Sequence, residues 1–284
     1  MKTILVPTDF SESSRAASEF AAELARKKNL ELCFIHVVEI PASPESVYYL
    51  NHELIQSMMT EAQEKLHELS NQYRDVKDVK TFVTTSTALD GIQKGILTID
   101  ADLIIIGKHH SEGGFTNLFF ENHTEKIIQY ANCPVISVAP DVRPGIWKKS
   151  LVAIDPESCP DDLLEKTYKV SRSLGLTPHY LWVTDKDKKP SEEHLALLSD
   201  TLKDHYPGKD FHFSTYNAPK VVDGILAFAE SLKPDLIIAS THGRTGLNKL
   251  IHGSIAESLV ELTDLPIMVL QLDRMTEKEK RIVA

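Results

Sequence analysis

An internal duplication constrains this chain more than any other feature of its sequence. Lys2 to Asp9 (KTILVPTD) is answered by Lys149 to Asp155 (KSLVAID), in each case an apolar run ending in Asp. Asp90-Gly91-Ile92 returns as Asp223-Gly224-Ile225, Asp102 to Ile106 (DLIII) returns as Asp235 to Ala239 (DLIIA), and 12 residues separate the two motifs in both copies. Asn132-Cys133-Pro134-Val135 matches Asp264-Leu265-Pro266-Ile267. The offset is 133 residues before the final loop and 132 after it, so the first copy carries one extra residue there. A repeated unit of about 140 residues is an ordinary domain size, so a chain of 284 divides into two domains. The expected layout is a first domain over 1–140, a linker over 141–148, a second domain over 149–275 and a charged tail over 276–284. Two prolines and a glycine in Pro140 to Trp147 (PDVRPGIW) mark the linker.

Within each copy, short β-branched runs alternate with longer segments of helical period, the pattern of a parallel sheet with crossover helices. Strands are expected near Thr3–Pro7, Leu30–Val38, Lys80–Thr85, Leu103–Gly107 and Val135–Ala139. In the second copy they fall near Ser150–Ile154, His179–Val183, Asp210–Tyr216, Leu236–Ser240 and Ile267–Leu270. Ala17, Phe20, Ala21 and Leu24 form one helix face, and Ile55, Met59, Ala62, Leu66 and Leu69 another; both stripes are expected to be core. Met58-Met59 suggests a lipid or partner surface as the alternative, and core packing is the reading adopted. Leu163, Val170 and Leu174 form the corresponding face in the second copy, with Gly175 as the C-cap. The fold class is α/β, with two tandem five-stranded parallel sheets. The final strands, Val135–Ala139 and Ile267–Leu270, are apolar and would otherwise be bare sheet edges, which implies that the two domains pair through them as an internal pseudo-dimer.

Composition narrows the function classes. A net charge of -10 with no block of Lys and Arg disfavours nucleic-acid binding, leaving small molecules or proteins as partners. Three cysteines (Cys33, Cys133, Cys159) without a CxxC spacing give neither a disulfide framework nor a thiolate metal site, and a reducing cytoplasm is expected. No signal-peptide pattern or membrane-spanning apolar run is visible.

Open parallel sheets bind ligands beyond the carboxyl ends of their strands, where the strand order reverses. In the second copy that edge carries Ala153-Ile154-Asp155 and Ser240-Thr241-His242-Gly243-Arg244-Thr245-Gly246, followed by Gly253-Ser254 at a helix start. Glycines allow close backbone approach to an oxyanion, free N–H groups and the Ser254 hydroxyl donate to it, and Arg244 or Lys249 adds charge. A turn at Gly246 with Ser254 as a helix cap is the alternative, as is Asp155 acting as an N-cap. No GxxxxGK[ST] or strand-following GxGxxG string occurs, which removes P-loop and dinucleotide readings.

These strings, with Ile255-Ala256-Glu257, Leu265 to Val269 and the opening Val6 to Ser11, resemble the signature of the universal stress protein family. The family pattern of Gly, two residues, Gly, nine residues and Gly-Ser is met here except that Ser240 replaces the first glycine. The resemblance implies two adenine nucleotide alpha hydrolase-like, Rossmann-like domains. It implies an ATP site, with ADP or AMP as variants and Mg²⁺ accompanying the nucleotide. It assigns base or ribose contact to Asp155 with Ala153 and Ile154, adenine contact to the Val183 backbone, and phosphate contact to Ser240, His242, Gly243, Arg244, Gly253, Ser254, Ile255 and Ala256.

The first copy keeps Asp9, Val37 and Gly107, but the second glycine has become His110 and the Gly-Ser pair approximately Glu121-Asn122. A carboxylate there repels phosphate by ~1 kcal/mol at 4 Å even in water, so the first site is expected to reject a triphosphate. The leading reading is a nucleotide-binding regulatory module for stress, acting through self-association, a further homodimer or a protein partner. A slow ATPase using His242 and Asp155 is the rival reading. A third is a Zn²⁺ site from His109, His110 and His123, for which no specific ligand spacing exists.

Overall fold

In a computed structural model, residues 1–40, 52–108, 127, 131, 133–142, 145, 147–155, 163–184, 192–241 and 255–271 are described. The chain divides into two compact units, Met1–Pro144 and Gly145–Ala284.

The first unit contains β1 (Thr3–Pro7), α1 (Glu12–Lys28), β2 (Glu31–Glu39), α2 (His52–Asn71), β3 (Asp78–Ser86), α3 (Ala88–Ile99), β4 (Leu103–Gly107) and β5 (Val135–Val138). Its strands are all parallel, in the order β3-β2-β1-β4-β5. The second unit repeats the plan with β6 (Lys149–Ile154), α4 (Leu163–Leu174), β7 (Thr177–Thr184), α5 (Glu192–His205), β8 (His212–Asn217), α6 (Val221–Leu232), β9 (Leu236–Thr241), α7 (Ile255–Leu262) and β10 (Ile267–Gln271). Its order is β8-β7-β6-β9-β10, again parallel. Each sheet therefore reverses its strand order beside its first strand, between β1 and β4 or between β6 and β9. The alternating sequence pattern thus folds as the doubly wound α/β arrangement it resembles.

The same bonds fix strand one in both units. Asp102 Oδ2 accepts the amides of Lys2 (2.6 Å) and Thr3 (3.0 Å), and Asp235 Oδ2 accepts those of Lys148 (2.7 Å) and Lys149 (2.9 Å). These bonds pair Lys2 with Lys148, one residue earlier than the sequence pairing with Lys149. With that correction Asp9 and Asp155, and likewise Val37 and Val183, share an offset of 146 residues without a gap.

Buried β-branched runs fill both faces of the central strands: Ile4, Leu5, Val6 and Leu103 to Ile105 are completely covered. Ala17, Phe20, Ala21 and Leu24 of α1 are buried, as are Leu163, Val170 and Leu174 of α4. On α2 the expected stripe holds only in part. Ala62, Leu66 and Leu69 are buried, but Ile55 and Met59 are half-buried and Met58 is 37% exposed. Of these three, Met58 borders a cavity rather than the core. Gly175 ends α4 with φ 85°, as expected of a C-cap.

Candidate functional site

The residues after β1 fold back tightly. The Thr8 amide donates to the Ile35 carbonyl at 2.9 Å, the last rung between β1 and β2. Asp9 Oδ1 then accepts from both the amide (3.0 Å) and the hydroxyl (2.5 Å) of Ser11, whose side chain caps α1 by accepting from the Ser14 amide. The cap is therefore Ser11, and Asp9 braces it. Between them Phe10 is forced to φ 65°, held there by Arg15, whose Nε and Nη2 donate to its carbonyl at 3.3 and 3.1 Å. A bulky residue in the left-handed region costs of order 1–3 kcal/mol, so these bonds over-determine a strained turn.

β2 runs on past the end of β1. Because the Ile35 peptide faces β1, the Val37 peptide two residues later faces the same way, where no β1 residue remains to pair with it. Its N–H and C=O point over the carboxyl end of the sheet beside Asp9. His36 Nδ1 lies 2.8 Å from the Thr8 carbonyl, which can only accept, so Nδ1 carries the proton and Nε2 the lone pair. Burial pushes the His36 pKa below its ordinary value, opposed by that bond, and the ring is neutral at pH 7.

Asp9, His36, Val37 and Glu39 line a cavity of about 360 Å³ with Phe10, Met58, Lys65 and several aliphatic residues. Such a volume lies in the range of small-molecule sites, about 300–1,000 Å³. Sequence reasoning missed this cavity; the signal for it was the half-polar stretch of α2 from Met58 to Lys65.

The second unit reproduces the backbone arrangement. β6 pairs with β7 up to Ile154 opposite Trp182, and the Ala218 amide donates to the Thr184 carbonyl at 3.0 Å. The Thr184 peptide therefore faces β8, and that of Val183 faces the other way, beyond the last β6 rung. Ala153 is half-buried, Ile154 and Val183 are buried, and Asp155 is exposed at the strand end. Ser240, half-buried, is the penultimate residue of the neighbouring strand β9, level with Leu270 of β10. Ile255, 43% exposed, and the buried Ala256 open α7, whose first amides have no partner within the helix. Asp155, Val183 and Ser240 thus lie at the carboxyl ends of three adjacent strands. His242, Gly243, Arg244, Gly253 and Ser254 lie outside the described residues, as do His109, His110, His123 and Glu121-Asn122.

Three glycines serve close packing. A Cβ on Gly107 would lie 2.2 Å from the Ser13 carbonyl oxygen, so this glycine admits the start of α1 against β4. Gly91 and Gly224, the repeated DGI glycines, press against Val37 and Val183 respectively. Among the described residues no group of three His, Cys, Asp or Glu is placed to hold a metal, and no helix is long and apolar enough to cross a membrane.

Comparison with known proteins agrees with this architecture. The profile of the universal stress protein family matches twice, over residues 1–139 and 147–271. A universal stress protein of Mycolicibacterium smegmatis is 20% identical over 94% of this chain and 96% of its own length. Universal stress protein MJ0577 of Methanocaldococcus jannaschii is 28% identical over 48% of this chain and 94% of its own length. The crystal structure of a universal stress protein from Archaeoglobus fulgidus superposes with a TM-score of 0.75 at 20% identity, covering 95% of this chain and 98% of the other, and so shares the fold. With two matches spanning nearly its whole length, the chain belongs to the universal stress protein family, as a tandem of two family domains.

Proposed function

We propose that this chain binds one ATP in its second domain and uses its occupancy as a regulatory signal in a stress response. The observation that carries the reading is the Val183 peptide, whose N–H and C=O face beyond the end of β6 beside Asp155. A donor and an acceptor side by side match the adenine edge, where a ring nitrogen accepts and the exocyclic amine donates. Asp155 is exposed within reach of a ribose hydroxyl or the base, and the opening amides of α7 suit an anion. Gly243, Gly253 and Ser254 are the phosphate ligands of this reading, with Ser240, His242 and Arg244 flanking them. The output is a change in association, of the chain with itself or with a protein partner.

The test is titration of the purified full chain with ATP, ADP and AMP, together with mass spectrometry of any nucleotide that co-purifies. One tightly held adenine nucleotide per chain, with phosphate release no faster than spontaneous hydrolysis, supports the regulatory module. Turnover of ATP that Asp155→Ala abolishes replaces it with the enzyme reading.

A further inference from the structure

β8 ends the strand order of the second unit and carries no Lys, Arg, Asp, Glu or Pro along His212–Asn217. Most of its residues are exposed: His212, Thr215, Tyr216 and Asn217 fully, Phe213 and Ser214 in part. The edge strand of the first unit differs. β3 carries Lys80, whose ammonium lies 2.9 Å from Glu31 and 3.1 Å from Asp78. A charged edge of that kind deters a further strand, and an uncharged one invites it.

The bond from the Ala218 amide to the Thr184 carbonyl sets the alternation along β8: the peptides of Ser214 and Tyr216 face β7, and those of Phe213, Thr215 and Asn217 face outward. On the inner side the strand is pinned by its side chains. Phe213 stacks on Tyr180 with ring centroids 4.9 Å apart, and His212 stacks on His179 at 5.8 Å. Ser214 Oγ lies 2.9 Å from His179 Nε2, and Tyr216 meets Phe228 edge-on at 6.2 Å. The edge is therefore ordered before any partner binds, which lowers the entropy cost of pairing. Its outward amides and carbonyls alternate at strand spacing, a pattern matched along its length by another extended strand.

We propose that this strand is β8 of a second copy, and that the chain forms a two-fold dimer by antiparallel pairing centred on Thr215. In that register Thr215 lies opposite Thr215, Phe213 opposite Asn217 and Ser214 opposite Tyr216, each pair on one face of the shared sheet. The three outward residues of both copies then exchange about six N–H···O bonds, and no like charges meet across the axis. A strand pair of this length buries less than the ~1,200 Å² of a standard interface, so the dimer is weak, dissociating in the micromolar range.

The experiment is sedimentation velocity of the full chain from low to high micromolar concentration, with residue-resolved amide exchange at both ends of that range. A concentration-dependent dimer is expected, with the amides of Phe213, Thr215 and Asn217 protected only as the dimer forms and those of Ser214 and Tyr216 protected throughout. Thr215→Lys and Thr215→Glu, at an exposed position, should each weaken association at least tenfold because like charges then meet at the axis, and the two variants mixed in equal amounts should dimerise again. Unchanged melting curves verify the fold, and normal ATP titration by the variants separates this edge from the nucleotide site. The proposal is overturned if the native chain stays monomeric throughout, if the lysine and glutamate variants each dimerise as the native chain does, or if a dimer forms without protecting the three outward amides.

Discussion

Gly224 lies directly against Val183: a Cβ built on the glycine would fall 2.5 Å from Val183 Cγ1, with Ala218 Cβ 3.0 Å away on another side. Gly91 meets Val37 in the first domain in the same way, at 2.6 Å. The glycine of each DGI motif therefore packs on the valine whose peptide faces the carboxyl edge of its sheet. In an exposed helix, Gly→Ala commonly gains about 1 kcal/mol. Here Gly224→Ala should instead destabilise by about 1–3 kcal/mol through overpacking and lower ATP affinity, because a branched side chain has no free end to swing aside. Thermal melting and titration of this variant check both; a rise in Tm with normal ATP binding contradicts the assigned contact.

Asp155→Ala should weaken ATP by one to two decades, the equivalent of about 1.5–3 kcal/mol for a hydrogen bond to a charged group. Asp9→Ala should leave ATP affinity nearly unchanged, and the stoichiometry should be one. A stoichiometry of two, or equal losses from both variants, would make the first domain a working ATP site.

His36 provides a pH prediction whose sign follows from its lowered pKa, caused first by burial and opposed by its bond to Thr8. The folded state prefers the neutral ring, so its contribution is complete above the ordinary imidazole value of 6.5 and is lost as pH falls through the depressed folded value. Melting temperature measured from pH 7.5 down to pH 5 should fall less steeply in His36→Gln than in the native chain. Parallel slopes would show that His36 is not the group responsible.

The duplication made the fold legible, because each β-branched run sits in a segment whose partner appears again 132 to 146 residues on. The carboxyl edge of the second sheet was legible through Asp155 and Val183, but not the direction of the Val183 peptide, which depends on where β6 stops. Gly107 shows the converse. It occupies the position of a phosphate-loop glycine, yet its lack of a side chain serves the approach of Ser13. Glycine types alone do not distinguish ligand contact from helix packing. The cavity escaped because Met58, Lys65 and Phe10 converge from α2 and the β1 turn, a tertiary relation with no local period.

Asp102 and Asp235 carry the last prediction. Each aspartate is the first residue of its DLII motif. In the structure each carboxylate collects two amides from the start of the neighbouring first strand, while its own amide donates back to Thr3 O at 3.0 Å or Lys149 O at 2.9 Å. This closed exchange sets the register of β1 against β4 and of β6 against β9, and so the level at which Asp9 and Asp155 emerge. Each bond to a charged acceptor contributes about 1.5–3 kcal/mol when sheltered, and less here because the pairs at Lys2, Lys148 and Lys149 are exposed. Asp235→Ala should therefore lower stability by about 1–3 kcal/mol and weaken ATP, whereas Asp235→Asn, which retains an acceptor, should recover at least half of the stability. Asp102→Ala should show the same stability loss with ATP affinity intact, and an ATP loss as large as that of Asp235→Ala would show that the effect is not transmitted through β6.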